Sequence, residues 1–343
     1  MPLWPVYTGT DEPHDRVTQL PDPPPWRAFD GGPALLSPPD EDDTVSRDRQ
    51  HRAGTYRATP ESVELVNAAL VLRRPLLITG PPGSGKSSLP YAVARELKLG
   101  PVLRWNITSR STLQDGLYQY DPMARLYAAG KSAGRKPSSG ADDGTPAGDA
   151  LEDHLRLGPL GTALLPFDRP RVLLIDEIDK SDLDLPNDLL NVLEEGQYEI
   201  PELVRAAERT PTAELMAADR ETRATVDRGL VRCRAFPFIV LTSNGEREFP
   251  AAFLRRCVPL HLRRPEPDHL EAIVRAHLGE LDGETTRLIS MFLERGSQGE
   301  LATDQLLNAI YLSRVPGLSA ESREALAAGL MTHLGPVAEF HDF

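Results

Sequence analysis

Residues 80–87 have the side chains and spacing that a protein needs to hold a chain of phosphates. They read Gly-Pro-Pro-Gly-Ser-Gly-Lys-Ser and match the pattern G-x-x-x-x-G-K-[ST] at every fixed position. Glycines let successive backbone N–H groups turn toward one anion, and a helix after the loop directs its positive end to the same place. We expect Lys86 to bind the β- and γ-phosphates and the Ser87 hydroxyl to bind Mg²⁺. The predicted nucleotide-binding residues are Gly80, Pro81, Pro82, Gly83, Ser84, Gly85, Lys86, Ser87 and Ser88.

A Gly-rich turn without a ligand is the alternative interpretation of this loop. The apolar run at residues 76–78 precedes it, and apolar residues with the spacing of one helix face follow it, at Leu89, Ala92, Val93 and Leu97. A strand before the loop and a helix after it are the context that a phosphate site requires, so we favour that interpretation.

Two acidic residues directly follow a second apolar run. Residues 172–175 are all apolar, and Asp176 and Glu177 come next. Parallel sheets bind ligands at the carboxyl ends of their strands. We therefore expect Asp176 to hold Mg²⁺ together with Ser87, and Glu177 to polarise the water that attacks the γ-phosphate. The alternative is that both acids simply end a strand and are solvated.

The remaining patterns indicate an α/β fold. Residues 238–241 form another continuous apolar run, as is usual for parallel strands covered by helices on both faces, and the alternating run at residues 258–262 contains Pro259 and suits an edge strand. Thr59 with Pro60 predicts the start of the first helix of the folded domain. From Pro265 onward the apolar spacing is helical throughout.

Composition separates the N-terminal segment from this domain. The chain has 343 residues and 32 prolines, and ten of the prolines lie within residues 1–40. This segment cannot form a long helix or a central strand. It also carries Trp4, Tyr7, Trp26 and Phe29, so we expect an extended arm that docks its aromatic rings on the folded surface. A solvated linker is the alternative.

Charge and cysteine content exclude several classes of protein. The formal net charge of −13 argues against general adhesion to nucleic acid or acidic membranes. Only two cysteines occur, without a CxxC pair, which supports neither a disulfide framework nor a structural zinc. We find no leader-like N-terminus and no apolar run that could span a membrane, and we expect a cytoplasmic protein.

The acidic segment and the one after it carry a family resemblance. Residues 176–180 read Asp-Glu-Ile-Asp-Lys, and residues 186–196 read Pro-Asn-Asp-Leu-Leu-Asn-Val-Leu-Glu-Glu-Gly. With the phosphate loop, they resemble the MoxR family within the dynein-related group of AAA+ ATPases, over about residues 59–343.

The resemblance implies a P-loop NTPase domain at residues 58–264 with a five-stranded parallel sheet between helices. A small all-helical lid domain is then expected at residues 265–343, and the arm at residues 1–57 lies outside the resemblance. Two insertions are implied, one at about residues 109–166 with a flexible loop at residues 128–150, and one at about residues 197–233 that bears a hairpin.

Further site residues follow from the resemblance alone. Asn244 matches the polar sensor that orients the attacking water. Arg256 matches the arginine finger that completes the site of a neighbouring subunit, with Arg255 as the substitute. Residues 301–305 contain no arginine where relatives often carry a second sensor, and Arg314 comes about ten residues later.

The implied function is ATP hydrolysis with Mg²⁺ in a homo-oligomeric ring, expected to be a hexamer, coupled to chaperone-like remodelling of a partner protein. The partner could carry a von Willebrand A domain, and neither membrane nor nucleic acid is an expected partner. Two alternatives remain, a nucleic-acid motor of the restriction or defence type and a nucleotide-gated scaffold with little turnover.

Overall fold

The computed structural model describes residues 4–38, 47–133, 150–219, 222–296, 301–317 and 319–331. Its helices are α1 (Arg47–Thr55), α2 (Pro60–Leu72), α3 (Leu89–Glu96), α4 (Leu113–Leu117), α5 (Pro122–Ala133), α6 (Pro159–Ala163), α7 (Leu185–Glu195), α8 (Pro201–Ala206), α9 (Ala251–Leu254), α10 (Pro267–Leu278), α11 (Gly283–Gly296), α12 (Thr303–Ser313) and α13 (Ala320–Leu330). Its strands are β1 (Leu76–Thr79), β2 (Leu103–Asn106), β3 (Tyr118–Tyr120), β4 (Leu155–Leu157), β5 (Val172–Asp176), β6 (Gln197–Glu199), β7 (Thr212–Met216), β8 (Arg223–Asp227), β9 (Leu230–Arg232), β10 (Phe238–Ser243) and β11 (Val258–His261).

Five parallel strands form the central sheet, in the order β11-β1-β10-β5-β2. The predicted five-stranded parallel sheet is therefore confirmed, with β11 at one edge as Pro259 suggested. β2 is the other edge, and its alternating burial gives it only two buried apolar residues, Leu103 and Trp105. That pattern is too short to identify a strand from sequence, and no apolar run predicted it.

The continuous apolar strands are explained by two hydrophobic cores, one on each face of the sheet. Leu76 and Ile78 point into one core, and Leu77 between them points into the other. Side chains alternate across a strand, so a strand buried on both faces must be apolar at every position. Each face is then covered by helices.

The N-terminal arm docks on the domain through both rings and polar groups. Tyr7 is buried, and Phe29 stacks on Phe236 with ring centroids 5.0 Å apart. The rings of Trp4 and Trp26 are exposed, at 56% and 78%. The expectation of docked rings is thus confirmed for Tyr7 and Phe29 and wrong for the two tryptophans.

The expected extended conformation of residues 1–57 is also wrong for the last part of the arm. Residues 47–55 form α1, although their polar sequence has little apolar periodicity. Ala53 and Thr55 are buried, and α1 packs against α3 and α10. Tertiary contact, rather than an amphipathic stripe, stabilises this helix.

The two inserted segments share a second sheet, in the order β3-β4-β7-β8-β9-β6. β7 and β8 pair as an antiparallel hairpin, and β6 pairs with β9 on the other side of β8. The predicted flexible loop at residues 128–150 falls mostly outside the described residues, since residues 134–149 are not described.

Helices α10 to α13 pack around their own core, which includes Leu270, Phe292, Leu306 and Ile310. This C-terminal helical unit borders the cleft described below. In the part of the chain that the structure describes, no helix combines the length and the apolar character needed to cross a membrane.

Candidate functional site

The phosphate loop connects β1 to α3 at the carboxyl end of β1, an inner strand of the central sheet. Gly83 and Gly85 have φ angles of +73° and +86°, which residues with a Cβ rarely adopt. A Cβ on Gly83 would also lie 2.7 Å from the backbone N of Thr303 at the start of α12. The turn therefore requires both glycines, and the close approach of the helical unit is a second requirement at Gly83. Ser88 directly precedes the first residue of α3.

The side chain of Lys86 folds back onto its own loop. Its Nζ donates hydrogen bonds to the carbonyl oxygens of Gly80 and Pro81, both at 2.8 Å. Burial lowers the pKa of Lys86, and the nearby carboxylates of Asp179, Asp176 and Glu177 oppose that shift. A phosphate that reaches the loop would offer the ammonium group a stronger acceptor than a neutral carbonyl.

Asp176, at the end of β5, is the centre of a polar network. Its Oδ1 accepts hydrogen bonds from the hydroxyls of Ser87 at 2.8 Å and Thr242 at 2.7 Å. Its Oδ2 accepts from Arg104 Nη2 at 2.7 Å. Burial alone would raise the pKa of Asp176, but these three donors outweigh it and leave the pKa below its usual value. The side chain is therefore an ionised carboxylate, which is the form that binds a cation.

These groups fit magnesium. The Ser87 hydroxyl and the Asp176 carboxylate are adjacent oxygen donors beside the phosphate loop, and Mg²⁺ prefers oxygen ligands supplied by one or two protein groups, water and phosphate. The predicted pair, Ser87 and Asp176, is thus brought together, and no third protein ligand is needed.

Glu177 lies beside Asp176 in a left-handed conformation, with φ +61° and ψ +49°. Its backbone N–H donates to Thr242 Oγ1 at 2.9 Å, and its carboxylate lies 2.9 Å from Lys180 Nζ. A non-glycine residue in this region is strained and persists only when its surroundings fix it. Here Thr242 contacts both acidic residues and holds the turn between them.

Asn244 follows β10 and lines the same cleft as the phosphate loop and Glu177. Its backbone N–H donates to Asp179 Oδ2 at 2.9 Å, and Asp179 is buried. This backbone contact holds Asn244 at the edge of the cleft.

The cleft has a volume of about 880 Å³ and lies between the α/β domain, α1 and the helical unit. Tyr56 and Arg57, which lie between α1 and α2, line it as well. Arg314 does not line it. The guanidinium of Arg314 donates to the carbonyls of Leu278 and Glu280 within the helical unit, so this arginine does not serve as a second sensor from its present position.

Arg255 and Arg256 lie away from the cleft of their own chain, in the turn between α9 and β11. Arg255 is exposed. Arg256 is 38% exposed and forms an ion pair with Glu194, with Nε and Oε1 2.9 Å apart. The structure therefore brings together the phosphate loop, Asp176, Glu177 and Asn244, and it leaves both arginines on a different surface.

Sequence reasoning missed several residues of the site. Thr242 and Arg104 both hydrogen-bond Asp176, and His51 and His277 meet across the cleft with ring nitrogens 3.1 Å apart. Thr242 lies directly after an apolar run, as Asp176 does, and that position was a usable signal. Nothing in the sequence pairs Arg104 or the histidines with their partners.

Residues 75–257 match the family described as AAA domain (dynein-related subfamily). This match spans more than half of the chain, and the chain belongs to this family. The expected AAA+ fold is confirmed, with its nucleotide-dependent class of activity, whereas the narrower MoxR assignment stays a proposal.

The comparison with curated proteins finds no match. Among solved structures, the chain is similar to NtrX from Brucella abortus, determined in complex with ADP, with 16% identity and a TM-score of 0.39. The alignment covers 83% of this chain and 57% of the NtrX chain, so this chain spans little more than half of that protein.

Proposed function

We propose that this protein is an ATP hydrolase of the MoxR type that assembles into a homo-oligomeric ring, a hexamer, and uses ATP to remodel a partner protein. One observation carries the proposal. The phosphate loop, Asp176 and Glu177 meet in one cleft, while Arg255 and Arg256 lie outside it. The cleft can thus bind nucleotide within one chain, and Arg256, which lies outside the cleft of its own chain, is free to act in the cleft of a neighbouring subunit.

Each residue of the cleft has a chemical task in this proposal. Lys86 exchanges its two carbonyl acceptors for the β- and γ-phosphates. Bound Mg²⁺, held by Ser87 and Asp176, would neutralise charge on the phosphates. Glu177 accepts the proton of the attacking water, and Asn244 orients that water.

Arg256 of one subunit would supply a positive charge to the phosphates in the cleft of its neighbour. An arginine that stabilises the transferred phosphoryl group is worth on the order of 10³ to 10⁵ in rate. Such a contact is made only while the γ-phosphate is present, so hydrolysis would change the subunit interface and the position of the helical unit.

A protein partner is supported by an exposed apolar stripe on α5. Met123, Leu126 and Tyr127 have exposures of 55%, 64% and 65% and lie at the i, i+3 and i+4 spacing of one helix face. A stripe of this kind can bind apolar segments of a client, including the von Willebrand A domain proteins that the resemblance implies.

The experiment uses two variants that should lose ATP hydrolysis for different reasons. Glu177→Gln should bind ATP and lose turnover, because the proton acceptor is gone while the phosphate loop is intact. Arg256→Ala should also bind ATP and lose turnover, because the neighbour's cleft lacks its arginine. Unchanged turnover in Glu177→Gln would favour the scaffold alternative.

Mixing the two variants then tests the shared site. A cleft in an Arg256→Ala subunit has an intact Glu177, and it can receive Arg256 from a neighbouring Glu177→Gln subunit. ATPase activity should therefore reappear in the mixture. Absence of rescue at every mixing ratio would refute the contribution of Arg256 in trans, and Arg255→Ala is then the next variant to mix.

A further inference from the structure

Glu194 joins three separate parts of the chain at one carboxylate. It lies in the last turn of α7, its Oε1 is 2.9 Å from Nε of Arg256, and its Oε2 is 3.4 Å from Nη1 of Arg27. Arg27 belongs to the N-terminal arm, which lies outside the matched AAA domain. The arm is thereby connected to the arginine proposed to act in the neighbouring cleft.

Arg27 is a fixed anchor for this carboxylate. It is only 4% exposed, and its guanidinium donates to the carbonyl oxygens of Leu193 at 2.9 Å, Glu194 at 2.8 Å and Arg73. These carbonyls lie at the C-terminal ends of α7 and α2, where a positive charge is favoured. Its guanidinium carbon also lies 4.7 Å from the ring centroid of Phe236. Arg27 therefore holds the end of α7, and Glu194 with it, in one position.

Arg256 keeps a free edge in this arrangement. Its Nε faces Glu194, and its Nη1 donates to the carbonyl of Ala252 at 3.1 Å. A guanidinium has five N–H donors, so three donors on Nη1 and Nη2 remain without a partner among the described residues. That edge can receive two phosphate oxygens while Glu194 stays in place. The contact orients Arg256 without blocking it.

The exposure of the pair excludes a mainly stabilising role. Arg256 is 38% exposed and Glu194 is 40% exposed, and ion pairs this open to solvent contribute little to the free energy of unfolding. The pair can still affect the rate of hydrolysis by orienting Arg256, because a small displacement of a group that contacts the transition state strongly reduces the rate.

We propose that Glu194 is the positioning residue for Arg256: it holds the guanidinium in the direction from which Arg256 reaches the phosphates bound by the neighbouring subunit. This inference rests on the proposed function, because it takes Arg256 as the arginine that acts in trans. It adds a residue of α7, fixed by the arm, to the groups that set the rate of hydrolysis.

The first measurement is the ATPase rate of Glu194→Ala, with Glu195→Ala as the matched control. Glu195 is the next residue of the same helix, is exposed, and contacts Gln197 instead of an arginine. Glu194→Ala should lower kcat about tenfold with an unchanged KM, less than the full loss of the arginine costs. Glu194→Gln should lie between wild type and Glu194→Ala, and Glu195→Ala should equal wild type. A higher kcat in Glu194→Ala would overturn the proposal, since Glu194 would then restrain Arg256.

The second measurement mixes Glu194→Ala with Glu177→Gln. If Glu194 acts through Arg256, a Glu194→Ala cleft beside a Glu177→Gln subunit receives a correctly held arginine, and its turnover per competent cleft should return to the wild-type level. A merely structural defect stays in its own subunit and would not be rescued, which would overturn the proposal.

Arg256→Ala, mixed in the same way, separates the two possible failures. If Arg256→Ala is rescued and Glu194→Ala is not, the inference about Glu194 is wrong and the proposed function stands. If neither variant is rescued, the assignment of Arg256 in trans is wrong, and the role of Glu194 falls with it.

Discussion

At the scale of single residues, Asp176, the carboxylate proposed to hold magnesium, already has a positive partner. Arg104 on β2 donates to Asp176 Oδ2 at 2.7 Å, on the oxygen that does not contact Ser87. Asn106, two residues further along β2, is paired with Asp176 in the sheet. Side chains two residues apart on a strand point to the same face, so Arg104 lies on the face of β2 that Asn106 occupies. Magnesium that binds at Asp176 must therefore compete with a guanidinium or share the carboxylate with it.

Replacing Arg104 should lower the magnesium requirement. In Arg104→Gln the carboxylate keeps its hydroxyl donors and loses the competing positive charge. We expect the Mg²⁺ concentration for half-maximal binding of a fluorescent ATP analogue to fall about two- to tenfold, a modest change because Arg104 is partly exposed. Arg110→Gln, at an exposed position beyond β2, is the control and should leave the requirement unchanged. An equal or higher requirement in Arg104→Gln would contradict the competition.

At the scale of elements, two buried polar side chains of the domain hold the first part of the arm. Asn67 on α2 accepts the N–H groups of Val6 and Tyr7 at 2.7 and 2.9 Å, and donates to the carbonyls of Tyr7 and Val63. Glu96 at the end of α3 accepts from the backbone N–H and hydroxyl of Thr8 and from the backbone N–H of Thr10. The domain thus pairs backbone groups of the arm that burial would otherwise leave without partners.

Asn67→Ala should release the N-terminal part of the arm while the domain stays folded. The variant removes the side-chain partner of two buried N–H groups and one carbonyl of the arm, which should weaken docking by about 2 to 4 kcal/mol. Hydrogen exchange at the Val6 and Tyr7 amides should become faster, and cleavage of the arm by protease should increase. The control is Asn187→Ala on the exposed side of α7. Equal protection in both variants would show that Asn67 is not needed to dock this part of the arm.

At the scale of the whole molecule, the cleft is bordered by units with separate cores. The helical unit has its own core, and α1 spans from α3 to α10 across the cleft. His277 on α10 meets His51 on α1 with ring nitrogens 3.1 Å apart. Burial, followed by the nearby charges of His51 and Arg57, lowers the pKa of His277 from 6.5 to about 4. The contact between α1 and α10 therefore requires a neutral His277.

Acid should weaken this contact. A released imidazole binds a proton near pH 6.5, whereas the docked His277 remains neutral until pH is about 4, so the contact is complete above pH 6.5 and is lost progressively between these values. Energy transfer between dyes on exposed positions of α1 and α10 should fall over this range in the nucleotide-free protein. His277→Asn should flatten the profile, and His261→Asn, whose ring contacts Thr79, should not. An unchanged profile in His277→Asn would contradict the assignment.

The sequence by itself determined the elements whose signal is local. The phosphate loop, the acids after β5 and the capped start of α2 could be identified because each depends on neighbouring residues along the chain: closely spaced glycines, an apolar run ending in carboxylates, and Thr59 with Pro60 at a helix start. The apolar runs gave the strands covered on both faces. β2 could not be predicted from an apolar run, because this edge strand has few apolar residues.

Only the tertiary structure decided which distant side chains meet. Arg104 reaches Asp176 across 72 positions of sequence, and Arg27 reaches Glu194 across 167. α1 is helical because α3 and α10 cover it, and in the arm Tyr7 is buried whereas both tryptophans are exposed. Charge pairing and burial depend on separation in space, and a single sequence specifies that separation only through the complete fold.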